Sequence, residues 1–316
     1  MSLRAGVAGA GAMGRNHARV FSLLEGVELV AIYDQNKQQA EAVAAEFGGM
    51  AVDSLDAFAA AVDAATVAVP TIAHRDVGCA LMEKGVHVLM EKPIADTLDD
   101  ARALIETSQK CGRILQVGHI ERFNPVMREL EDRLSEPRFI EAHRLSPFPN
   151  RSIDIGVVLD LMIHDLEIIL HLVRSPVVSV DAVGVSVMTS REDIANARIR
   201  FENGCVANVT ASRISPERMR KIRVFQGDCY LSLDYQEQSA GMYRMGESGI
   251  EKVEVNVEKD EPLKRELASF VRCAEAGSTP EVSGQQGAAA LDLALEITNL
   301  INQSPPATAL ADSSNP

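Results

Sequence analysis

Polar side chains recur at helical spacing inside an apolar segment near the middle of the chain. Asp160 and His164 are four residues apart. Glu167 and His171 continue the same stripe. Residues at this spacing share one face of an α-helix, where buried polar groups need partners. Three interpretations are open: a histidine hydrogen bonded within the core, a metal site of His164, His171 and a carboxylate, or an acid/base pair in which a carboxylate orients the imidazole.

A glycine-rich turn follows the first apolar run of the chain. Gly9, Gly11 and Gly14 form a G-x-G-x-x-G motif that opens a helical pattern. The first glycine allows a tight turn, the second lets the backbone approach a pyrophosphate, and the third allows close helix–strand packing. The N–H groups that begin the helix, at Ala12 and Met13, are then expected to face the anion. An ordinary glycine-rich turn is the alternative interpretation.

Asp34 ends the second apolar run, 20 positions after Gly14. This is the spacing expected for a carboxylate that accepts hydrogen bonds from the adenosine ribose. A carboxylate here repels a 2′-phosphate, and Gln35 and Asn36 offer no arginine to bind one. Lys37 is the only nearby cation. The pattern therefore predicts NAD as the cofactor in preference to NADP.

Further candidates for cofactor contacts lie where the fourth apolar run ends. Val69, Pro70 and Thr71 follow that run, and His74 comes shortly after them. Ligands of open α/β sheets bind at the carboxyl ends of the strands, so we expect these residues to contact the cofactor. For the first three, a plain strand end is the alternative.

Glu91 and Lys92 follow the apolar run 86–89, so the lysine emerges at the same edge of the predicted sheet. In a closed, cofactor-lined crevice, an ammonium group can hydrogen bond a substrate hydroxyl and favour its deprotonation. Both residues are candidate cofactor contacts, and Lys92 is a candidate catalytic residue. A surface lysine is the alternative.

The first third of the chain predicts a scaffold that brings such strand ends together. Apolar runs alternate there with stretches of helical spacing, which indicates βαβ crossovers. Continuous apolar runs are typical of parallel strands buried on both faces. We therefore predict an α/β Rossmann domain with a parallel, doubly wound sheet. The predicted strands are Leu3–Ala8, Val27–Tyr33, 64–69, 86–89 and 114–117, and the predicted helices are Lys37–Phe47 and 101–110.

Beyond about residue 175 the pattern changes to a period of two. Residues 195–201 alternate apolar and polar side chains, and Asn203 and Gly204 form a hairpin turn before Val206–Ser212. A second hairpin is predicted across 226–228. The second half is therefore an α+β domain with an antiparallel sheet, and the boundary is expected near residue 120. Late helices are predicted at Pro262–Ala276 and 287–302.

Composition narrows the class of ligand. The 316 residues include 31 Lys and Arg against 45 Asp and Glu, a net charge of −14, and 4% aromatic residues with no Trp. This charge repels nucleic-acid phosphates and anionic lipid, so we expect a small-molecule partner, no nucleic acid and no membrane. The most apolar segment, 153–173, contains too many polar residues to span a membrane. Five scattered cysteines without a C-x-x-C pair argue against a zinc cluster or disulfides and favour a reducing, cytoplasmic location.

Three motifs occur in a fixed order along the chain: Gly9-x-Gly11-x-x-Gly14, Glu91-Lys92-Pro93 and Asp160-x-x-x-His164. Together they resemble the glucose–fructose oxidoreductase, inositol dehydrogenase and rhizopine catabolism (Gfo/Idh/MocA) family over essentially the whole chain. The resemblance implies an N-terminal Rossmann domain, a C-terminal domain on a large, mostly antiparallel sheet, and homodimers or homotetramers formed through that sheet. With the boundary near residue 120, we expect an NAD-binding domain at 1–120 and a substrate-binding and oligomerisation domain at 121–303. Residues 304–316 are rich in Pro, Ser and Ala, which predicts a flexible tail.

The family also implies catalytic roles. Its E-K-P lysine and its later aspartate and histidine correspond to Lys92, Asp160 and His164. His164 would remove the proton from a ring hydroxyl, Lys92 would stabilise the developing alkoxide, and Asp160 would orient the imidazole and the hydroxyl. The Lys–Pro bond of the motif is cis in some members, so a cis Lys92–Pro93 bond is expected.

Segments 116–125 and 156–165 resemble the branch that oxidises UDP-sugars at C3, especially UDP-N-acetylglucosamine 3-dehydrogenases. Those enzymes feed an aminotransferase that makes a 3-amino sugar for lipid A or surface glycans. This resemblance implies that three residues line the sugar pocket and that two arginines bind the phosphate groups. For each of these two arginines, a solvent-exposed side chain without a ligand is the alternative. These substrate-binding candidates are His119, Arg122 and Asn124, and then Arg144 and Arg151.

The activity implied is NAD-dependent hydride transfer from a CH–OH carbon, most closely C3 of UDP-N-acetylglucosamine. A polyol or monosaccharide dehydrogenase, such as one for inositol, is the alternative within the enzyme class. A non-catalytic, dinucleotide-binding metabolite sensor and a metal-dependent lyase or hydrolase are alternatives of other classes. A second cluster of basic residues is expected to lie on a solvent-exposed face of the sheet or at a contact between subunits. It consists of Arg213, Arg218, Arg220, Lys221 and Arg223.

Overall fold

The computed structural model describes residues 2–148 and 155–303, and the chain forms two compact units. The first contains the residues up to Arg133 together with Asn256–Asp292. The second contains the described residues of Leu134–Val255 together with residues 293–303. The division therefore differs from the expected boundary at residue 120, and a late segment of the chain returns to the first unit. The expected tail at 304–316 lies outside the described residues.

The first unit is built on a six-stranded parallel sheet with helices between its strands. The strands are β1 (Leu3–Ala8), β2 (Val27–Tyr33), β3 (Met50–Val52), β4 (Ala64–Val67), β5 (His87–Glu91) and β6 (Leu115–Gly118). The helices are α1 (Ala12–Phe21), α2 (Lys37–Phe47), α3 (Leu55–Ala61), α4 (His74–Glu83), α5 (Leu98–Cys111) and α6 (Pro125–Glu131). The strand order is β3-β2-β1-β4-β5-β6, which confirms the doubly wound Rossmann arrangement.

All five strands predicted for this sheet are present, with small shifts at their ends. β4 ends at Val67, two residues before its predicted end, whereas β5 and β6 extend to Glu91 and Gly118. β3, α3, α4 and α6 were not among the predicted elements. β3 has only three residues, none of them fully buried, so it produces no apolar run in the sequence.

The second unit is built on an eight-stranded sheet. Its strands are β7 (Phe139–Leu145), β8 (Val177–Val185), β9 (Ile194–Phe201), β10 (Val206–Ser212), β11 (Met219–Phe225), β12 (Cys229–Asp234), β13 (Ser239–Gly246) and β14 (Gly249–Val255). Their order is β14-β13-β12-β11-β7-β10-β9-β8, and β7 with β10 is the one parallel pair in this sheet as described. The predicted fold class, with its large and mostly antiparallel second sheet, is confirmed.

The hairpins follow from local sequence. Gly204 has a φ of +85° in the turn between β9 and β10, a conformation that glycine adopts without strain. The second predicted hairpin joins β11 to β12. In β9 the apolar residues Ala195, Ala197 and Ile199 are buried, as the period of two predicted.

The remaining helices are α7 (Ile163–Val173), α8 (Pro262–Ala276) and α9 (Gly284–Gln303), and a π-helical turn, Val158–Met162, leads into α7. Within residues 2–148 and 155–303, no helix combines the length and the apolar character needed to cross a membrane.

α8 explains why the chain returns to the first unit. Leu263, Leu267 and Phe270 share one face of α8 and belong to the same buried cluster as Val7 of β1 and Leu89 of β5. Residues at this spacing form a continuous apolar stripe. The Rossmann core is therefore completed by a helix that lies far away in the sequence.

Phe270→Ala should lower the free energy of unfolding by about 3–5 kcal/mol, because the ring is completely buried and its loss leaves a cavity. Ile250→Ala is the matched control, since Ile250 is 76% exposed and its truncation should cost less than about 0.5 kcal/mol. Denaturant unfolding followed by circular dichroism measures both. Similar losses in the two variants would contradict the place of α8 in this core.

Candidate active site

The turn between β1 and α1 requires glycine at two positions and leaves open space at a third. A Cβ on Gly9, whose φ is +98°, would lie 2.5 Å from the carbonyl oxygen of Ala68, and a Cβ on Gly14 would overlap the carbonyl oxygen of Gly9. A Cβ on Gly11 would meet nothing within 4 Å. The backbone at Gly11 is therefore open to a ligand.

The start of α1 adds backbone donors beside this open space. Gly11 is the N-cap of the helix and makes no side-chain capping hydrogen bond. The N–H of Arg15 donates to the carbonyl oxygen of Gly11 (2.9 Å). Ala12 and Met13 precede Arg15 in the first turn, where N–H groups have no acceptor within the helix. Such a helix start fits an anion such as a pyrophosphate.

Asp34, at the end of β2, holds the glycine turn in place. Its Oδ2 accepts a hydrogen bond from the N–H of Ala10 (2.6 Å), and its Oδ1 accepts one from the N–H of Asn36 (2.7 Å). The side chain is only partly buried. Each carboxylate oxygen retains a further lone pair, so Asp34 can also accept a ligand hydroxyl.

Val69, Pro70 and Thr71 lie at the carboxyl edge of the same sheet. The first two follow β4, and the third begins a short 3₁₀ turn, Thr71–Ala73. None of the three is fully buried, which leaves them accessible to a ligand at this edge.

His74 is 1% exposed and connects two loops. Its Nε2 lies 3.0 Å from the carbonyl oxygen of Val69, and its Nδ1 lies 3.0 Å from that of Pro93. Burial lowers the pKa of His74 although these carbonyls oppose the shift. Because both ring nitrogens face backbone carbonyls, the geometry favours a structural role for His74 over the expected direct contact with the cofactor.

Lys92 directly follows β5, and its side chain is half-buried. The Lys92–Pro93 peptide bond is cis, as the resemblance implied. β5 and β6 pair with Glu91 opposite Gly118, so Lys92 and His119 are the next residues of neighbouring strands. The sheet therefore brings these two expected site residues together.

Glu91 contacts His17, a residue that was not among the predicted site residues. His17 of α1 is completely buried, and its Nε2 lies 3.0 Å from Oε1 of Glu91. Burial raises the pKa of Glu91, but the hydrogen bond and electrostatic attraction of His17, together with the charge of Lys92, outweigh it and lower the pKa. The available signal was a histidine one turn after Gly14, on the face of α1 that packs inward.

His119 is 1% exposed at the end of β6. Burial, with the positive charges of Lys92 and Arg122, lowers the pKa of His119 to about 3. The imidazole is therefore neutral near pH 7 and can donate one hydrogen bond and accept another.

Arg122 and Asn124 are 8% and 3% exposed and lie at the 3₁₀ turn Ile120–Phe123. Asn124 accepts a hydrogen bond from the N–H of Val126 (3.4 Å), which caps α6, and its Nδ2 donates to Oε2 of Glu121 (3.3 Å). Asn124 therefore supports this turn in addition to any contact with a ligand.

Asp160 and His164 belong to the second unit, and the helix that carries them is not a continuous α-helix as expected. Asp160 lies in the π-helical turn Val158–Met162, whereas His164 is the second residue of α7. The N–H of Ile163 donates to the carbonyl oxygen of Val158, an i→i−5 bond. Such π-turns occur frequently at functional sites. Both side chains are half-buried.

Glu167 is 2% exposed and His171 is half-buried on the same helix. Among residues 2–148 and 155–303, no group of three or more histidine, cysteine or acidic side chains is arranged to hold a metal ion. The described geometry therefore does not support a metal site of His164 and His171. Arg151, expected to meet phosphate, lies outside the described residues.

Arg144 forms a buried ion pair instead of presenting an open phosphate contact. Its Nε and Nη2 donate to the two carboxylate oxygens of Asp165, at 2.8 and 3.0 Å. Arg144 is 3% exposed on β7, and Asp165 is 1% exposed on α7. The predicted phosphate contact of Arg144 is not supported, because the pair fixes the guanidinium inside the second unit.

The expected surface position of Arg213 is wrong, because its side chain is completely buried. Its Nε donates to Oδ1 of Asp193 (2.9 Å), and its Nη1 donates to the carbonyl oxygen of Ile155 (2.7 Å). Burial raises the pKa of Asp193, but hydrogen bonds from the backbone, Thr189 and Arg213 hold that pKa well below its usual range. This network, which the sequence did not indicate, anchors the chain shortly before the π-turn.

Arg144→Leu should lower the free energy of unfolding by about 3–5 kcal/mol, because it leaves the Asp165 carboxylate buried without its partner. The double variant Arg144→Leu, Asp165→Leu should recover most of this loss, since an apolar pair can replace a buried ion pair. Denaturant unfolding compares the variants with the wild type. If Arg144 bound substrate phosphate instead, the single variant would weaken substrate binding and keep its stability.

Known proteins resemble this chain over nearly its whole length. It is 37% identical to a UDP-N-acetylglucosamine 3-dehydrogenase of Acidithiobacillus ferrooxidans, over 93% of this chain and 96% of that protein. It is 26% identical to a scyllo-inositol 2-dehydrogenase (NAD(+)) of Bacillus subtilis, over 94% of this chain and 93% of that protein. A solved structure of the Acidithiobacillus ferrooxidans UDP-N-acetylglucosamine 3-dehydrogenase matches with a TM-score of 0.91 at 36% identity, over 95% of this chain and 98% of that chain.

Two family models match successive parts of the chain. Residues 3–119 match the Gfo/Idh/MocA model described as an oxidoreductase family with an NAD-binding Rossmann fold. Residues 128–228 match the model of the Gfo/Idh/MocA C-terminal domain. With these matches, the glycine turn and both sheets in place, the chain belongs to the Gfo/Idh/MocA family of oxidoreductases, whose Rossmann domain binds a nicotinamide dinucleotide.

Proposed function

We propose that this protein catalyses the NAD-dependent oxidation of the C3 hydroxyl of UDP-N-acetylglucosamine. The observation that carries the proposal is the 37% identity to a UDP-N-acetylglucosamine 3-dehydrogenase over 93% of this chain and 96% of that protein. The product would be a 3-keto sugar nucleotide. An aminotransferase that makes a 3-amino sugar for lipid A or surface glycans would consume it.

The first unit fits a dinucleotide at the carboxyl edge of its sheet, and the bound dinucleotide supplies the hydride acceptor of the reaction. The open backbone at Gly11 and the N–H groups of Ala12 and Met13 would hold the pyrophosphate. Asp34 would accept hydrogen bonds from the adenosine ribose. The segment after β4 and the residues Glu91 and Lys92 would lie near the other end of the dinucleotide.

Charges around Asp34 support NAD over NADP. Lys37, the nearby cation, has its Nζ 2.6 Å from Oδ1 of Asp53. Arg15, the first cation of α1, pairs with Glu46. Both cations therefore already have carboxylate partners, and the Asp34 carboxylate would repel a 2′-phosphate.

Proton removal would depend on three side chains. Nζ of Lys92 donates a hydrogen bond to the substrate hydroxyl oxygen and stabilises the charge that develops as its proton leaves. The imidazole of His164 accepts that proton, and Asp160 orients the imidazole. The assignment of these roles to Lys92, Asp160 and His164 rests on the family motif, which this chain contains in full.

The substrate sugar would meet His119, Arg122 and Asn124. Because the pKa of His119 is lowered to about 3, its neutral imidazole can hydrogen bond a sugar hydroxyl without adding positive charge. Arg151 remains the proposed phosphate contact. Arg144 is not part of this proposal, since Asp165 occupies its guanidinium.

A second candidate function is the oxidation of a free polyol. The full-length similarity to a scyllo-inositol 2-dehydrogenase favours it, although at 26% identity. Both candidates use the same dinucleotide site and the same three catalytic side chains, so substrate binding distinguishes them.

Assembly and location are part of the proposal. Partly exposed aromatic rings cross four adjacent strands of the second sheet, with centroids 5.7, 5.1 and 4.5 Å apart; they belong to Phe139, Phe225, Tyr230 and Tyr243. Such a row supports a homodimer or homotetramer formed through this sheet. The five cysteines are free thiols, which supports a reducing, cytoplasmic location.

Gly11→Ala should keep the melting temperature of the wild type and weaken NAD binding about tenfold or more, because its methyl group would fill the space left for the pyrophosphate. Gly14→Ala is the comparison variant, and it should lose stability because its Cβ overlaps the Gly9 carbonyl. Thermal unfolding and calorimetric titration with NAD measure the two effects. Wild-type NAD affinity in Gly11→Ala would contradict the proposed pyrophosphate site at Gly11.

Purified protein with NAD and UDP-N-acetylglucosamine should produce NADH, and NADP should support a slower reaction. Lys92→Ala and His164→Ala should each reduce kcat by about 10²-fold or more, the usual effect of a positioned acid or base. Lys110→Ala, which removes an exposed lysine of α5, is the control and should match the wild type. NADH absorbance measures turnover. Near-normal turnover in either active-site variant would contradict the assigned roles, and turnover of inositol alone would favour the second candidate.

A further inference from the structure

Glu192, in the loop between β8 and β9, contacts the start of the helical segment that carries Asp160. Its side chain is 5% exposed. A buried carboxylate is stable only when it has hydrogen-bond partners. The partners of Glu192 therefore indicate what this side chain does in the second unit.

Glu192 accepts two hydrogen bonds from the residues that begin the π-helical turn. Its backbone carbonyl oxygen accepts one from the N–H of Val157 (3.0 Å), and its Oε1 accepts one from the N–H of Val158 (3.4 Å). The first N–H groups of a helix have no acceptor within the helix. Val157, the N-cap of the turn, makes no side-chain capping hydrogen bond. Glu192 thus caps the turn Val158–Met162 from another part of the chain.

Two glycines allow Glu192 to approach this turn closely. A Cβ on Gly156 would overlap the carboxylate of Glu192, and a Cβ on Gly184 of β8 would lie 3.1 Å from the Cβ of Glu192. The carboxylate therefore lies directly against the start of the helical segment, where the N–H dipoles favour a negative charge.

Backbone contacts connect Glu192 to Asp160. The N–H of Asp160 donates to the carbonyl oxygen of Gly156 (3.1 Å), so the position of the Asp160 backbone depends on where Gly156 lies. The preceding residue is held as well, because Nη1 of Arg213 donates to the carbonyl oxygen of Ile155 (2.7 Å). Since π-helical turns are rare, these contacts at its start help to select this conformation.

We propose that Glu192 is a positioning residue for Asp160: its carboxylate caps the π-helical turn and thereby fixes the place from which the Asp160 carboxyl group acts. This inference rests on the proposed function, because it takes Asp160 as one of the catalytic side chains. Glu192 itself acts only through the backbone of the turn.

Two substitutions separate the acceptor oxygen of Glu192 from the volume of its side chain. Glu192→Gln keeps an oxygen that can accept the N–H of Val158, so kcat should stay within about threefold of the wild type. Glu192→Leu has no acceptor, so Asp160 is misplaced and kcat should fall about tenfold or more. The affinity for NAD should change little in both variants, because the residues proposed to bind it lie in the first unit. Wild-type kcat in Glu192→Leu, or equal losses in both variants, would overturn the proposal.

Val224→Ala is the matched control for a loss of stability. Val224 is completely buried on β11 of the same unit, so its truncation should lower the melting temperature. Its kcat, measured well below that temperature, should equal that of the wild type. If Val224→Ala lowered kcat as much as Glu192→Leu does, loss of stability would explain both results and the proposal would be overturned.

A double-mutant cycle tests whether Glu192 acts through Asp160. In an Asp160→Ala background, Glu192→Leu should cause no further loss of turnover. A merely structural role would lower turnover by the same factor in both backgrounds, and that result would contradict the proposal.

The cap itself is testable without any substrate. Amide hydrogen exchange at Val158 reports whether its N–H keeps a hydrogen-bond acceptor. Exchange at Val158 should be about tenfold or more faster in Glu192→Leu than in the wild type, and close to the wild type in Glu192→Gln. Equal exchange rates in the wild type and Glu192→Leu would show that Glu192 does not cap the turn and would overturn the proposal.

The exchange measurement needs no turnover, so it decides whether Glu192 caps the turn even if the protein fails to oxidise UDP-N-acetylglucosamine. Failure of the proposed function and failure of this inference are thus distinguishable.

Discussion

The in-register ends of the parallel strands determine where the first unit can do chemistry. Because β5 pairs with β6 with Glu91 opposite Gly118, the next residues, Lys92 and His119, must lie side by side. On the side of β5 away from β6, β5 pairs with β4, and β4 in turn pairs with β1. The glycine turn follows β1 at the same edge of the sheet. The neutral state of His119 follows from this arrangement, since burial and the nearby charge of Lys92 both lower its pKa.

Buried polar side chains then hold the loops that leave these strands. His74 lies between the carbonyl oxygens of Val69 and Pro93, and Asp34 accepts the N–H of Ala10 in the glycine turn. In the second unit, Arg213 donates to the carbonyl oxygen of Ile155 before the π-turn. A buried polar group is stable only when its partner has suitable geometry, so each contact restricts a loop to one conformation. Precise placement of functional groups is the consequence.

The candidate site was largely predictable wherever its signals are local in the sequence. The glycine motif, Asp34 and the E-K-P segment each depend on residues a few positions apart, and the structure places them at one sheet edge. The burial of Arg144 in an ion pair was not predicted, although a signal for it existed. Arg144 lies two positions after Ala142 and four after Ile140, so all three share the buried face of β7. This period of two indicates that the Arg144 side chain points inward. Its partner Asp165 lies on another element, and no spacing rule connects the two.

The sequence by itself determined the two kinds of sheet, the dinucleotide turn and the identity of the residues that resemble the family motif, because strand periodicity and turn chemistry act over short stretches of chain. Tertiary structure alone decided which buried charges meet. It joined Arg144 to Asp165, His17 to Glu91, and α8 to the Rossmann core. It also introduced the π-turn at Asp160. These pairings form because burying a charge without a partner costs free energy. That free-energy cost arises only when distant segments of the chain pack together, so it leaves no local pattern in the sequence.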